Sequence, residues 1–181
     1  MKIVFLGNPN VSVSILSSLL KTENDIVGVV SNSPKISGRG LKKRYTPLGL
    51  YAINKKLKLL CLSSFKDEKL YRALKKLNPD LFIVVAFKII PQKFLNIPKL
   101  GAINLHASLL PNYRGASPIQ YALLNGDKKT GVTTFFMDDK IDNGKIIMQK
   151  EFKINDSDNY ESLIRKVESH GSDIVIKTID N

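Results

Sequence analysis

In the run G-A-I-N-L-H-A-S-L-L-P-N-Y-R-G-A-S-P (101–118), Asn104 and His106 alternate with Ile103 and Leu105. A period of two is that of a strand, and it sets the amide and the imidazole on one face. Pro111, Asn112 and Gly115 are turn formers that carry the chain out over the surface. A hydrogen-bonding amide and a titratable imidazole thus stand side by side where a strand opens into a loop. Open α/β sheets bind their ligands at such places. Alone, such a pair is more often two satisfied polar groups of a strand than a catalyst. The second polar stretch, M-D-D-K-I-D-N-G (137–144), shifts the balance, because it offers Asp138, Asp139 and Asp142 within five residues. A carboxylate beside a histidine orients it and favours its charged form, the arrangement used in acid–base work. No Ser or Cys is tied to these residues by a nucleophile motif. The two histidines, 64 positions apart, match no metal-ligand spacing, so no metal is assigned.

The elements that must hold these residues follow from periodicity. Residues 2–7 read as a first strand, and 11–21 as a helix with apolar residues at 11, 15, 16, 19 and 20 and Asn10 as its N-cap. The intervening G-N-P-N turn lacks the G-x-G-x-x-G pattern, which disfavours a dinucleotide site. Gly7 could still approach an anion at the helix N-terminus, but a tight turn is the expected reason for it. Strands are expected over 25–31 and 58–62, and helices from Pro47 to about 54 and over 65–77. A fully apolar, parallel-type strand is expected over 80–86. Beyond the central strand come a helix over 117–124 with Pro118 at N1, and strands over 130–137 and 145–154. The last two flank the carboxylate loop as a hairpin-like antiparallel addition. Closing helices are expected over 159–169 and 173–179, with His170 at the break near Gly171. This order is that of an α/β, three-layer, Rossmann-like fold with a mostly parallel sheet and an antiparallel C-terminal strand.

Composition narrows the classes further. The chain has 181 residues, 43% of them hydrophobic, and no apolar run near 18 residues, which suits one domain and no membrane partner. The short apolar run at the N-terminus ends at Gly7 and reads as a strand, not a signal peptide. Its one cysteine, Cys61, reads as a buried small hydrophobe and fits a reducing cytoplasm. The net charge is +12, unevenly spread: residues 1–137 hold 21 Lys and Arg against 6 Asp and Glu, a balance of +15. The segment 32–46, N-S-P-K-I-S-G-R-G-L-K-K-R-Y-T, carries five cations and no acid. It reads either as an ordinary exposed flexible loop or as an arm in which Arg39, freed by Gly38 and Gly40, enters a nucleic-acid groove while Lys42, Lys43 and Arg44 hold phosphates.

The block N-L-H-A-S-L-L-P-N-Y-R-G-A-S-P-I-Q followed by D-D-K-I-D-N-G resembles the folate-dependent formyltransferases, and most of all the branch that formylates a tRNA. The resemblance extends from Val4 to about Ile176. It implies that Asn104, His106 and Asp142 are the catalytic residues. It also implies that Ser108, Leu109, Leu110 and Pro111, with Phe87, Ile89 and Asp138, bind the folate. In the turn F-K-I-I-P (87–91) the related enzymes usually carry a glycine after the aromatic and one more residue before the proline; Lys88 stands there instead. The G-R-G loop with Arg39, Lys42, Lys43 and Arg44, together with Arg114, is implied to engage tRNA. The implied reaction moves a formyl group from 10-formyltetrahydrofolate to the amino group of initiator methionyl-tRNA, in the cytoplasm and as a monomer. The branch's second, basic C-terminal domain is missing from these 181 residues, so the expectation is a single catalytic domain holding tRNA with its own cations. Formyl transfer to glycinamide ribonucleotide or a sugar nucleotide, hydrolysis of formyl-folate, and a non-catalytic RNA-binding remnant are the competing readings.

Overall fold

The computed structural model describes residues 1–37 and 42–181, which fall into two compact units, Met1–Ala102 and Ile103–Asn181.

In the first unit, β1 (Lys2–Gly7) runs parallel to β2 (Asp25–Asn32) on one side and β6 (Leu81–Val85) on the other, with β5 (Leu59–Leu62) beyond β2. Residues 3–6 are at most 1% exposed and 81–85 at most 5%. Strands buried on both faces must be apolar at every position, which is why neither run alternates. Helix α1 (Asn10–Leu19) lays Val11, Ile15, Leu16 and Leu19 into this core. Asn10 is not its cap: the helix begins at Asn10 after an extended Pro9, and Ser12 N donates to the Pro9 carbonyl. The reason for Gly7 also differs from the expected tight turn. A Cβ there would come within 2.5 Å of Ser12 Oγ and 2.8 Å of the Val85 carbonyl, to which that hydroxyl donates. Glycine lets α1 close onto β1 and β6.

Asn8 supplies a further tie. Its side-chain oxygen accepts from Ser31 Oγ and Asn32 N, and its carbonyl accepts from Leu48 N. The segment between those points is not wholly irregular. β3 (Lys35–Ser37) pairs antiparallel with β4 (Lys42–Arg44), a hairpin that periodicity did not foresee because three-residue strands leave too short a pattern. α2 (Pro47–Asn54) follows with Pro47 in its first turn, and Thr46 Oγ1 accepts from Gly49 N at 3.0 Å. α3 (Glu68–Leu77) starts three residues later than expected, because Asp67 caps it by accepting from Lys69 N. Asn78 closes it in the left-handed region at φ 47°. A short α4 (Gln92–Leu95) ends the run after Pro91. Cys61 is exposed, not buried, because β5 is the outermost strand of this unit and only Leu62 of its four residues is buried.

In the second unit, β8 (Lys129–Phe136) pairs antiparallel with both β7 (Ala102–His106) and β9 (Ile146–Lys153). The carboxylate stretch is the connection between β8 and β9, as expected of a hairpin. α5 (Pro118–Leu124) lies between β7 and β8 in the chain and begins with Pro118. The two expected closing helices are one, α6 (Tyr160–Asp180), 21 residues long. Asn159 and Ser162 cap it reciprocally. Gly171 is buried within it, so packing outweighs a glycine's modest helix penalty of about 1 kcal/mol. His170 is therefore mid-helix, its ring stacked on Phe152 at 4.9 Å. Among the described residues no helix is long and apolar enough to cross a membrane.

Candidate active site

β7 delivers Asn104 and His106 as the alternation requires, with Ile103 and Leu105 buried between them. The imidazole is 6% exposed. Its Nε2 lies 2.8 Å from the Tyr113 carbonyl, and since a carbonyl only accepts, Nε2 carries a proton. Nδ1 is left facing Asp142, 3.5 Å from Oδ2. The carboxylate thus faces the ring nitrogen that is not committed to Tyr113.

Asp142 is positioned by its backbone as well as by its partner. It sits in the left-handed region at φ 47°, and its Oδ2 accepts from Gly115 N at 2.8 Å. At Gly144, two residues on, a Cβ would fall 1.6 Å from the Phe136 carbonyl, so only glycine lets the loop fold back on β8. The turn N-Y-R-G (112–115) therefore holds both partners: Tyr113 by its carbonyl holds His106, and Gly115 by its amide holds Asp142. Periodicity and residue type did not reveal those two roles, because both are played by main-chain atoms.

Asn104 is left with capacity for a ligand. Its Oδ1 is buried without a partner among the described residues. Buried polar atoms are seldom left so, since an unmade hydrogen bond costs about 1–3 kcal/mol.

The S-L-L-P segment is tied down from behind. Ser108, fully buried, donates through Oγ to the Asn112 carbonyl at 2.6 Å and accepts at its own carbonyl from Thr133 Oγ1 at 2.7 Å. Thr133 Oγ1 accepts in turn from Leu110 N and from Gln149 Nε2, which also donates to the Leu110 carbonyl. Leu109 rests on Gly131, where a Cβ would approach its Cδ2 to 2.4 Å. The Leu110–Pro111 peptide is cis. Thr133 and Gln149 are supports that sequence reasoning missed; only their register opposite β7 and each other marks them. Asp138 is half-buried and caps its own loop, accepting from Lys140 N.

The remaining expected site residues fall elsewhere. Phe87 and Ile89 belong to the first unit, Phe87 edge-on to Phe65 and Ile89 69% exposed. Lys43 and Arg44 are exposed on β4, in the same unit, while Arg114 is exposed in the second. Arg39 lies outside the described residues, as do Gly38, Gly40 and the side chain of Lys42. No cluster of three or more His, Cys, Asp or Glu that could hold a metal occurs among the described residues.

On this α/β scaffold β7 carries an amide and a histidine, and the β8–β9 connection brings the Asp142 carboxylate to that histidine. The formyl transferase family model matches residues 1–179, and the chain belongs to that family. The methionyl-tRNA formyltransferase of Flavobacterium psychrophilum is 49% identical over 181 residues, covering 99% of this chain and 57% of the relative. That of Thermodesulfovibrio yellowstonii is 46% identical over 179 residues, covering 98% and 58%. The chain thus spans a little over half the length of these relatives. Among solved structures, the phosphoribosylglycinamide formyltransferase of Anaplasma phagocytophilum shares the fold at TM-score 0.80 and 24% identity, over 99% of this chain and 85% of that one. A sugar 3N-formyl transferase, solved with dTDP and 5-N-formyl-THF, matches at TM-score 0.71 and 25% identity, over 99% and 62%.

Proposed function

We propose that this chain carries the catalytic site of a methionyl-tRNA formyltransferase, which moves a formyl group from 10-formyltetrahydrofolate to the amino group of initiator methionyl-tRNA in the cytoplasm. The observation that carries the reading is the placement of His106 between the Tyr113 carbonyl and Asp142, with Asn104 two residues back on the same strand. The relatives bearing that name support the choice of acceptor.

The amine nitrogen attacks the formyl carbon, and the carbonyl oxygen becomes an oxyanion. Asn104 Nδ2 is the donor to that oxygen. The amine's proton passes toward Nδ1 of His106 and Asp142, and a proton is returned to the folate nitrogen as its bond to the formyl carbon breaks. The products are the formamide and tetrahydrofolate. Ser108, Leu109, Leu110 and Pro111, with Asp138, Phe87 and Ile89, are the residues proposed for the folate. The pterin and its linker would meet main chain and apolar side chains there, because Ser108 Oγ is already committed to Asn112. Lys42, Lys43, Arg44, Arg39 and Arg114 are proposed to hold tRNA phosphates.

The test measures tetrahydrofolate release from 10-formyltetrahydrofolate with charged initiator tRNA or glycinamide ribonucleotide as acceptor. Turnover is expected with the tRNA alone. Asn104→Ala should lose about 10²–10³-fold, and His106→Ala about 10²–10⁴-fold. Turnover with the ribonucleotide instead would overturn the acceptor and retain the chemistry.

A further inference from the structure

We infer that Tyr113 is a positioning residue for His106, and that the C-terminal end of α5 is the socket that holds it. Tyr113 adopts φ 55°, a region a bulky side chain seldom enters without compensation. That conformation turns its carbonyl onto His106 Nε2. What holds the residue there is its other end. The phenol donates to Asp127 Oδ2 at 2.7 Å and accepts from Asn125 Nδ2 at 2.9 Å, and the ring lies parallel to that of Tyr121 at 6.4 Å.

The socket is built by the way α5 ends. Gly126 is left-handed at φ 67°; Gly126 N donates to the Leu123 carbonyl and Asp127 N to that of Ala122. This pair of bonds is the Schellman closure, which doubles the chain back over the last helical turn. It brings the Asn125 amide and the Asp127 carboxylate to one hydroxyl. The run N-G-D (125–127) is therefore a helix stop and a clamp together, with Asp127 holding the Tyr113 phenol above its ordinary pKa.

The consequence reaches the reacting end of the imidazole. With Nε2–H pledged to Tyr113, the neutral ring has one tautomer, and its bare nitrogen is the one that faces Asp142. Releasing the phenol frees the strained turn to relax, the carbonyl leaves Nε2, and the second tautomer becomes accessible. That form has its bare nitrogen on the side away from the carboxylate and cannot take a proton there. This role rests on the proposed catalysis by His106, but the state of the ring can be read without it.

The chain has only two histidines, so ¹⁵N spectra of the imidazoles, assigned with His170→Gln, report the tautomer directly. At a pH where His106 is neutral, the wild type should show Nε2–H alone. Tyr113→Phe and Asp127→Ala should each give a mixture, with kcat down about tenfold at unchanged KM for both substrates, as misplacement of a reacting group predicts. The double variant should be no worse than either single one. Nδ1–H in the wild type, or single variants that keep both tautomer and kcat, would overturn the inference. A tautomer shift without a change in kcat would overturn Tyr113's bearing on the reaction. A tautomer shift in a chain that shows no formyl transfer would support the clamp and overturn the proposed function instead.

Discussion

Asp158 shows how strongly a few local bonds act on one group. Its carboxylate pairs with Lys166 Nζ and accepts from Ser162 Oγ at 2.6 Å and Asn155 N at 2.7 Å. These hold its pKa down to about 2, Lys166 contributing most. An unfolded aspartate protonates near ~3.9. The folded state therefore gains from this carboxylate at all pH values above the unfolded pKa, and loses the gain as pH falls through the folded one. Asp158→Asn should lower the urea midpoint above about pH 4 and leave it close to wild type near pH 2. Equal midpoint differences at both pH values would show that the cluster acts by packing alone. The catalytic candidates belong to the same level of detail. The types of Asn104, His106 and Asp142 and the strand period were readable in the chain. The Tyr113 carbonyl and the Gly115 amide were not, since every residue carries those atoms and only the backbone path makes two of them useful.

Close approach decides much of how the elements meet. A methyl group at Gly7 would collide with Ser12 and with the Val85 carbonyl. Gly7→Ala should cost about 1–3 kcal/mol, the usual range for overpacking, read from denaturant unfolding. A loss below a few tenths would mean that α1 can shift without penalty. Asn8 joins the first turn to both ends of the segment bearing the β3–β4 hairpin. Asn8→Ala should leave Ser31 Oγ and Asn32 N without that acceptor and speed amide exchange at Lys43 and Arg44, while β1 amides stay protected. Uniform loss of protection would instead mark Asn8 as a support of the whole unit. At the C-terminal helix, Asn159→Ala removes one half of a reciprocal cap and should cost about 1 kcal/mol. That helix also shows where reading by pattern fails. Gly171 looked like a stop, but the face it shares with Leu163, Val167, Ile174 and Val175 is buried, and burial continues the helix through it.

For the chain as a whole, charge is the property that bears on the proposed partner. Residues 1–137 carry +15, and Lys43 and Arg44 of β4 are exposed. If phosphates are what these cations meet, log affinity for tRNA should fall linearly with log salt, with a slope that shrinks by about one per phosphate contact removed. Lys43→Ala and Arg44→Ala should each reduce the slope and leave the affinity for 10-formyltetrahydrofolate unchanged. A slope indifferent to both changes would place the RNA contact elsewhere. Since the chain spans 57% of the Flavobacterium psychrophilum relative, this measurement reports the binding of these residues themselves.

The order of the longer elements, the apolar parallel strands and the catalytic candidates were legible from residue types and their spacing, and the family from the resemblance of a contiguous motif. The β3–β4 hairpin, α4 and the unbroken α6 were not. Tertiary structure alone decided the rest. It set the tautomer of His106, the partnerless state of Asn104 Oδ1, the Thr133–Gln149 brace behind Leu110 and the exposure of Cys61. These depend on which main-chain atoms meet across many residues of sequence, and no one-dimensional pattern encodes the approach of a carbonyl to a ring.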